Sequence, residues 1–238
     1  FTEQFLAAIK AQGQDYVLAS KDGVTALNTG YSIAAIPFVT MVNDPETFQP
    51  LFGQDKAACG FEIADALVIR ADLSGKVLAV GNTEYEASYT VVPTIMTIYR
   101  GYSWADIQIG NTPVRFVTTH LESLWDENKV PNAAKQAQQL ISDLKETRNP
   151  IVIMGDFNSD PRDPRIADDP NVGGQPAASK SCPAGGSECS AYRLMFEAGF
   201  KDVGPDSLDP RNNTWGMNAL LTGPDPDRLK YSQQLGNF

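Results

Sequence analysis

The chain of 238 residues has a single histidine, three cysteines and no apolar stretch near the roughly 20 residues that a membrane-spanning helix requires. No basic and apolar leader opens the sequence, so any export signal is expected to have been removed or never to have existed. Positive charge is scarce. Nineteen Lys and Arg face 29 Asp and Glu, a formal net charge of -10. This argues against a broad basic face for nucleic acid or anionic membrane, because phosphate affinity comes from clustered Lys and Arg. It leaves room for a local basic cleft or a metal-bridged contact. Apolar residues are plentiful at 42%, enough to bury a sizeable core. With no internal repeat or linker, residues 1–238 are expected to form one soluble globular domain.

The cysteines bear on compartment. Cys182 and Cys189 flank the flexible spacer "PAGGSE" and could close a small disulfide loop, whereas Cys59 has no neighbour in sequence. Such a loop would favour an oxidising compartment, secreted or periplasmic, and the sequon "NNT" at Asn212 is compatible with that.

Local patterns alternate between helix and strand. The opening "FTEQFLAAIKAQGQDYVLA" suits a helix stopped at Gly13 and followed by a short strand. Residues 20–60 show no sustained period and read as loop, with one strand near Ile33 to Val42. From Ala64 onward, "ADALVIRA", "KVLAVG", "TIMTIYR", "SWADIQIG" and "VRFVTTH" are strand-length segments, with turns expected at Ser74-Gly75, Asn82 and Gly110-Asn111. The "GNTP" turn marks the clearest hairpin. In "NAAKQAQQLISDLKE", Ala133, Ala137, Leu140, Ile141 and Leu144 share one helical face, with charged and amide residues opposite. A strand follows at once, so Val114 to Met154 reads strand, helix, strand, the unit of mixed or parallel α/β sheets. Residues 159–189 are rich in Pro, Gly, Ser and Asp and read as a long surface loop. Then "SAYRLMFEAGFKDV" offers Ser190 as helix N-cap, Leu194 and Met195 as an apolar face and Gly199 as a stop.

The chemistry concentrates at two strand ends. "IVIMGDFNSDPRDPR", residues 151–165, runs from unbroken apolar residues into a bend that holds Asp156 and Asn158. The apolar run predicts a strand covered on both faces, with these two residues where the chain leaves the core. His120 closes the strand "RFVTTH". A lone histidine is more often structural than catalytic, and Asp156 alone could be a turn residue. A strand–helix–strand unit, however, can bring all three to one sheet edge, where ligands gather in α/β folds. Two other signals carry less. "GGQPAASKS" lacks the glycine before lysine of a phosphate loop, and Asp163, Asp168 and Asp169 lack the spacing of a calcium loop.

"VTTHLES" followed by "IMGDFNSDP" resembles the two central motifs of the endonuclease/exonuclease/phosphatase superfamily, a group of metal-dependent phosphodiesterases. "ALVIRADL", "YRLMFEAGFKDV" and "NTWG" fall in the order of that family, so the likeness covers roughly residues 60–216. The resemblance implies an α/β (α+β) fold, a four-layer αββα sandwich with two mixed β-sheets. It implies that Asp156 positions or deprotonates the attacking water. Asn158 would orient the phosphate or that water, and His120 would donate to a phosphate oxygen. Asp156 and Asn158 would also contact a divalent cation, Mg2+ or else Mn2+ or Ca2+. The expected substrate is a phosphodiester, with nucleic acid among the candidates, and the expected state is a monomer.

The family also has an Asn on its first strand, a metal-binding Glu upstream of the opening helix and an Asp-His pair after a late strand. None of these is found here. "DRLKY" at 227–231 is not that strand, because the "SQQLGNF" that follows is too polar to continue it. The expectation is therefore an excerpt of a catalytic domain without its first and last strands. The alternatives are a non-catalytic binding protein or inactive fragment on the same scaffold, and a sphingomyelinase-like lipid phosphodiesterase.

Overall fold

The computed structural model describes residues 2–28, 38–41, 43–44, 46–50, 53–54, 56–59, 64–92, 96–124, 131–159 and 190–205. They interleave helices and sheets, an α+β arrangement, and the chain divides into two compact units, Phe1–Thr118 and Thr119–Phe238.

In the first unit the opening helix α1 spans Thr2–Ala11 and ends at Gly13, whose φ of +77° is left-handed and suits only glycine at low cost. The strands that follow are β1 (Tyr16–Leu18), β2 (Ser20–Lys21), β3 (Val24–Thr25), β4 (Leu27–Asn28), β5 (Phe38–Met41), β6 (Lys56–Cys59), β7 (Asp65–Ala66) and β8 (Val68–Arg70). All pair antiparallel: β1 with β8, β2 with β3, β4 with β7, and β5 with β6. Residues 20–60 are thus richer in strand than their sequence suggested. These strands are two to four residues long, too short to show an alternating pattern. Of the expected strand at Ile33 to Val42, Phe38–Met41 is observed, and the remainder lies outside the described residues.

A 3-10 turn at Ala71–Lys76, on the expected Ser74-Gly75 bend, leads to β9 (Val77–Glu84). After β10 (Tyr89–Val92) and β11 (Met96–Ile98) come the long strands β12 (Gly101–Ile109) and β13 (Thr112–His120). The β12–β13 turn has Gly110 at φ +58°, which the "GNTP" signal anticipated. Asn82 is not a turn. It sits inside β9 opposite Ser103 of β12, held by the register of its neighbours despite its low strand preference.

Ala19, Ala26, Leu67, Ile69, Val77, Ala105 and Ile107 form the core of this unit, with Val17, Leu73, Val80 and Phe116 packed on it. On β12, Trp104 lies over Gly81, where an added Cβ would come within 2.7 Å of the indole. The Arg115 guanidinium sits 3.9 Å from the centre of the Trp104 ring and bonds both Asp106 oxygens, at 2.8 and 2.7 Å.

In the second unit, Thr119 and His120 lead into helix α2 (Asn132–Leu144), strand β14 (Ile151–Asp156) and helix α3 (Ala191–Glu197). Leu140 and Leu144 are buried on α2, and each contributes about 1.5–3 kcal/mol by leaving water. Met195 of α3 is buried as well, and α2 packs on α3. Ser190 caps α3, its Oγ accepting from Arg193 N at 3.2 Å, and Gly199 ends the segment at φ +96°.

Two expectations fail in this unit. β14 is not covered on both faces: Val152 and Met154 are exposed at 39% and 43%, while Ile151 and Ile153 on the alternate face are half-buried. Val152 and Met154 border an open groove of about 770 Å³ between β14 and α3. The amides of α2 do not all face solvent either, since Asn132 and Gln136 are buried beside Ala133 and Ala137. The loop read at residues 159–189, Cys182, Cys189 and Asn212 lie outside the described residues, apart from Ser159.

Candidate active site

Two strand ends of the second unit meet at the residues singled out from sequence. Gly155 lies against Thr119, and Leu121 N donates to Asp156 O at 2.9 Å, so the chains advance in the same direction there. An α-helix lies between them in sequence, as a parallel connection requires. His120 and Asp156 are thereby brought side by side.

The close approach depends on glycine. Gly155 has φ +141°, and a Cβ there would collide with the Thr119 carbonyl oxygen. Any larger residue would push β14 away from His120.

His120 Nε2 lies 3.6 Å from Asp156 Oδ2, with side chains 38% and 46% exposed. That separation is beyond a direct hydrogen bond and within electrostatic reach, so a protonated imidazole and the carboxylate attract. Asp156 Oδ1 accepts the backbone N–H of Asn158 at 2.8 Å, an Asx turn. Asn158 has φ +44°, a left-handed conformation that asparagine tolerates better than most residues. Its Nδ2 donates to Leu121 O at 2.7 Å. The pair thus fills a turn role, and Asn158 also ties the β14 end to the residue after His120.

Oxygen donors dominate this corner. Asp156 is an exposed carboxylate, and Asn158 Oδ1 is the amide atom left when Nδ2 bonds Leu121. Such donors suit a hard cation, and Mg2+ commonly takes one or two carboxylates with water and substrate phosphate completing its shell. Among the described residues, no three His, Cys, Asp or Glu side chains cluster as a complete metal cage. A partial set of Asp156 and Asn158 fits a cation that shares its shell with substrate.

Sequence reasoning missed several residues around this site. Glu122 is fully buried, with Oε1 accepting from Leu124 N at 3.1 Å, and Gln136 Oε1 accepts from Glu122 N at 2.7 Å. Asn132 Nδ2 donates to Leu124 O at 3.0 Å. Ser159 Oγ accepts from Tyr192 N at 3.0 Å and lies 3.3 Å from Ser190 Oγ, joining the end of the "GDFNS" run to α3. The available signal was the four-residue spacing of Asn132 and Gln136, which puts two amides on one helix face.

A profile of the Endonuclease/Exonuclease/phosphatase family matches residues 67–223, more than half of the chain. The chain belongs to this family. No curated protein matches it with significance. Solved structures similar to it include D. rerio TDP2 complexed with single strand DNA product, at 17% identity, covering 74% of this chain and 49% of that one, TM-score 0.33. Others are a mannosyl-6-phosphatase of Bacteroides thetaiotaomicron (16% identity, 45% of this chain and 39% of that one, TM-score 0.28) and the human Nocturnin catalytic domain with bound sulfate anion (15%, 52% and 44%, TM-score 0.29). The chain spans half or less of the length of these relatives.

Proposed function

We propose that this chain is part of a divalent-cation-dependent hydrolase of phosphodiester bonds, acting as a monomer on a nucleic acid or a small phosphodiester. The observation that carries the reading is His120 held 3.6 Å from Asp156 at adjoining strand ends, both side chains open to solvent. Membership of the family supports it.

In this reading Asp156 orients the attacking water and accepts its proton. His120 donates to a phosphate oxygen as negative charge builds in the transition state. Asn158 holds the Asp156 turn to Leu121, so that the carboxylate and imidazole keep their spacing. Asp156 and the Asn158 amide oxygen would hold the cation, Mg2+ or else Mn2+ or Ca2+, whose charge offsets that of the phosphate. Export to an oxidising compartment, secreted or periplasmic, belongs to the same proposal and rests on Cys182, Cys189 and Asn212 in the sequence.

The test is hydrolysis of bis(4-nitrophenyl) phosphate by the full-length protein with and without divalent cation. Turnover should vanish on chelation and return with added Mg2+ or Mn2+. Turnover indifferent to chelator would refute the reading.

A further inference from the structure

We infer that Gln136 is a positioning residue for His120, acting from α2 through the backbone at Glu122; this rests on the proposed role of His120. The strand β13 ends at His120, and the next four residues, Leu121 to Leu124, carry the chain away from the imidazole. They are bonded on both sides. On one side Asn158 Nδ2 donates to Leu121 O at 2.7 Å and Leu121 N donates to Asp156 O. On the other side Gln136 Oε1 accepts from Glu122 N at 2.7 Å, and Asn132 donates to Leu124 O from both its side chain and its backbone.

The α2 side of this clamp conflicts with what the helix needs for itself. Asn132 and Gln136 are 1% and 0% exposed among alanines and leucines. Apolar side chains there would bury more favourably, because a buried amide recovers its desolvation cost only through its hydrogen bonds. The Gln136 side-chain oxygen accepts from the chain leaving His120. Losing that acceptor would strand a buried N–H two residues beyond the imidazole, and the backbone would move to satisfy it. Asp156 is anchored in β14 and joined to the segment at Leu121, and it would not fully follow a shift at Glu122. The His120–Asp156 spacing would open as a result.

The experiment uses the full-length protein and three substitutions. Gln136→Met removes the acceptor at similar volume, Gln136→Glu retains an acceptor oxygen, and Leu140→Ala loosens the same helix without removing a hydrogen bond. Gln136→Met should lower kcat per folded molecule about 10- to 100-fold, the usual loss when a supporting hydrogen bond to a reactive group is removed, with KM changed less than about 2-fold. Gln136→Glu should recover most of that loss, and Leu140→Ala should lower Tm while sparing kcat. The ring 15N–1H signals of His120, assigned by their loss in His120→Ala, give a readout independent of substrate. At fixed pH they should shift in Gln136→Met and match wild type in Gln136→Glu and Leu140→Ala.

Wild-type ring signals and wild-type kcat in a folded Gln136→Met protein would overturn the inference. So would equal effects of Gln136→Met and Leu140→Ala. If Gln136→Met does not fold, a folded Gln136→Glu protein with displaced ring signals overturns it, and one with wild-type signals upholds it. If neither folds, Gln136 is a core residue and the inference falls. A wild-type protein without turnover would refute the proposed activity while leaving the ring signals to judge the clamp.

Discussion

Two acid–base pairs of the molecule differ in what their surroundings leave open. In the first unit, Asp106 gives both oxygens to the fork of Arg115 at 2.8 and 2.7 Å, under the Trp104 ring, with side chains only 12% and 19% exposed. In the second, Asp156 gives one oxygen to a turn and holds the other 3.6 Å from His120, with both partners more than a third exposed. A bidentate, shielded pair has satisfied its charges and resists exchange with water or substrate. An open pair at a strand end has spare lone pairs and room for a reactant. Both carboxylates neighbour a basic group, and geometry separates a closed pair from an open one.

Either pair can be removed by substitution. The largest effect is expected for Asp156→Asn, which keeps the Asx turn but not the charge. Turnover should drop about 100- to 10,000-fold, the range of general-base catalysis, while stability changes by at most about 1 kcal/mol. Next comes His120→Ala, with roughly a 100-fold loss of turnover and little change in melting, as for one transition-state donor. Asp106→Ala should do the opposite. It strands the Arg115 charge, costing about 2–3 kcal/mol in chemical denaturation after allowance for partial exposure, and leaves turnover per folded molecule intact.

The smallest effect is expected at a carboxylate with one buried oxygen left unbonded among the described residues. Asp65 is largely buried, its Oδ2 accepts no hydrogen bond, and burial pushes its pKa up to about 6 against the opposing pull of Arg100. The folded state then keeps a proton that the unfolded chain releases above its ordinary value of 3.8. Stability therefore falls as pH rises from about 4 to about 6, and the full penalty is present above that. Asp65→Asn should flatten this slope and raise stability at pH 7 by about 1–2 kcal/mol, less than the full shift implies because the group is partly exposed. Denaturation midpoints at pH 4, 5, 6 and 7 would measure it.

The parts of this account legible in sequence were those written in consecutive residues. The "GNTP" hairpin, the helix ending at Gly13 and the Ser190 cap each follow from local backbone preference. The "THL" and "GDFN" runs pointed to His120, Asp156 and Asn158. What stayed hidden needed tertiary context. Asn82 lies in a strand because Ser103 pairs with it. Gln136 is buried because a backbone N–H fourteen residues earlier requires an acceptor. Val152 and Met154 look like core residues in sequence, yet one face of β14 borders the open groove beside α3.

Whether a divalent cation binds where Asp156 and His120 meet can be measured directly. Mn2+ broadens the NMR signals of nearby protons, and the His120 ring signals, assigned by their loss in His120→Ala, report on the space beside Asp156. Equimolar Mn2+ should broaden the His120 ring signals of the wild-type protein and leave those of Asp156→Asn sharp. Sharp signals in the wild type, or equal broadening in both proteins, would contradict the account.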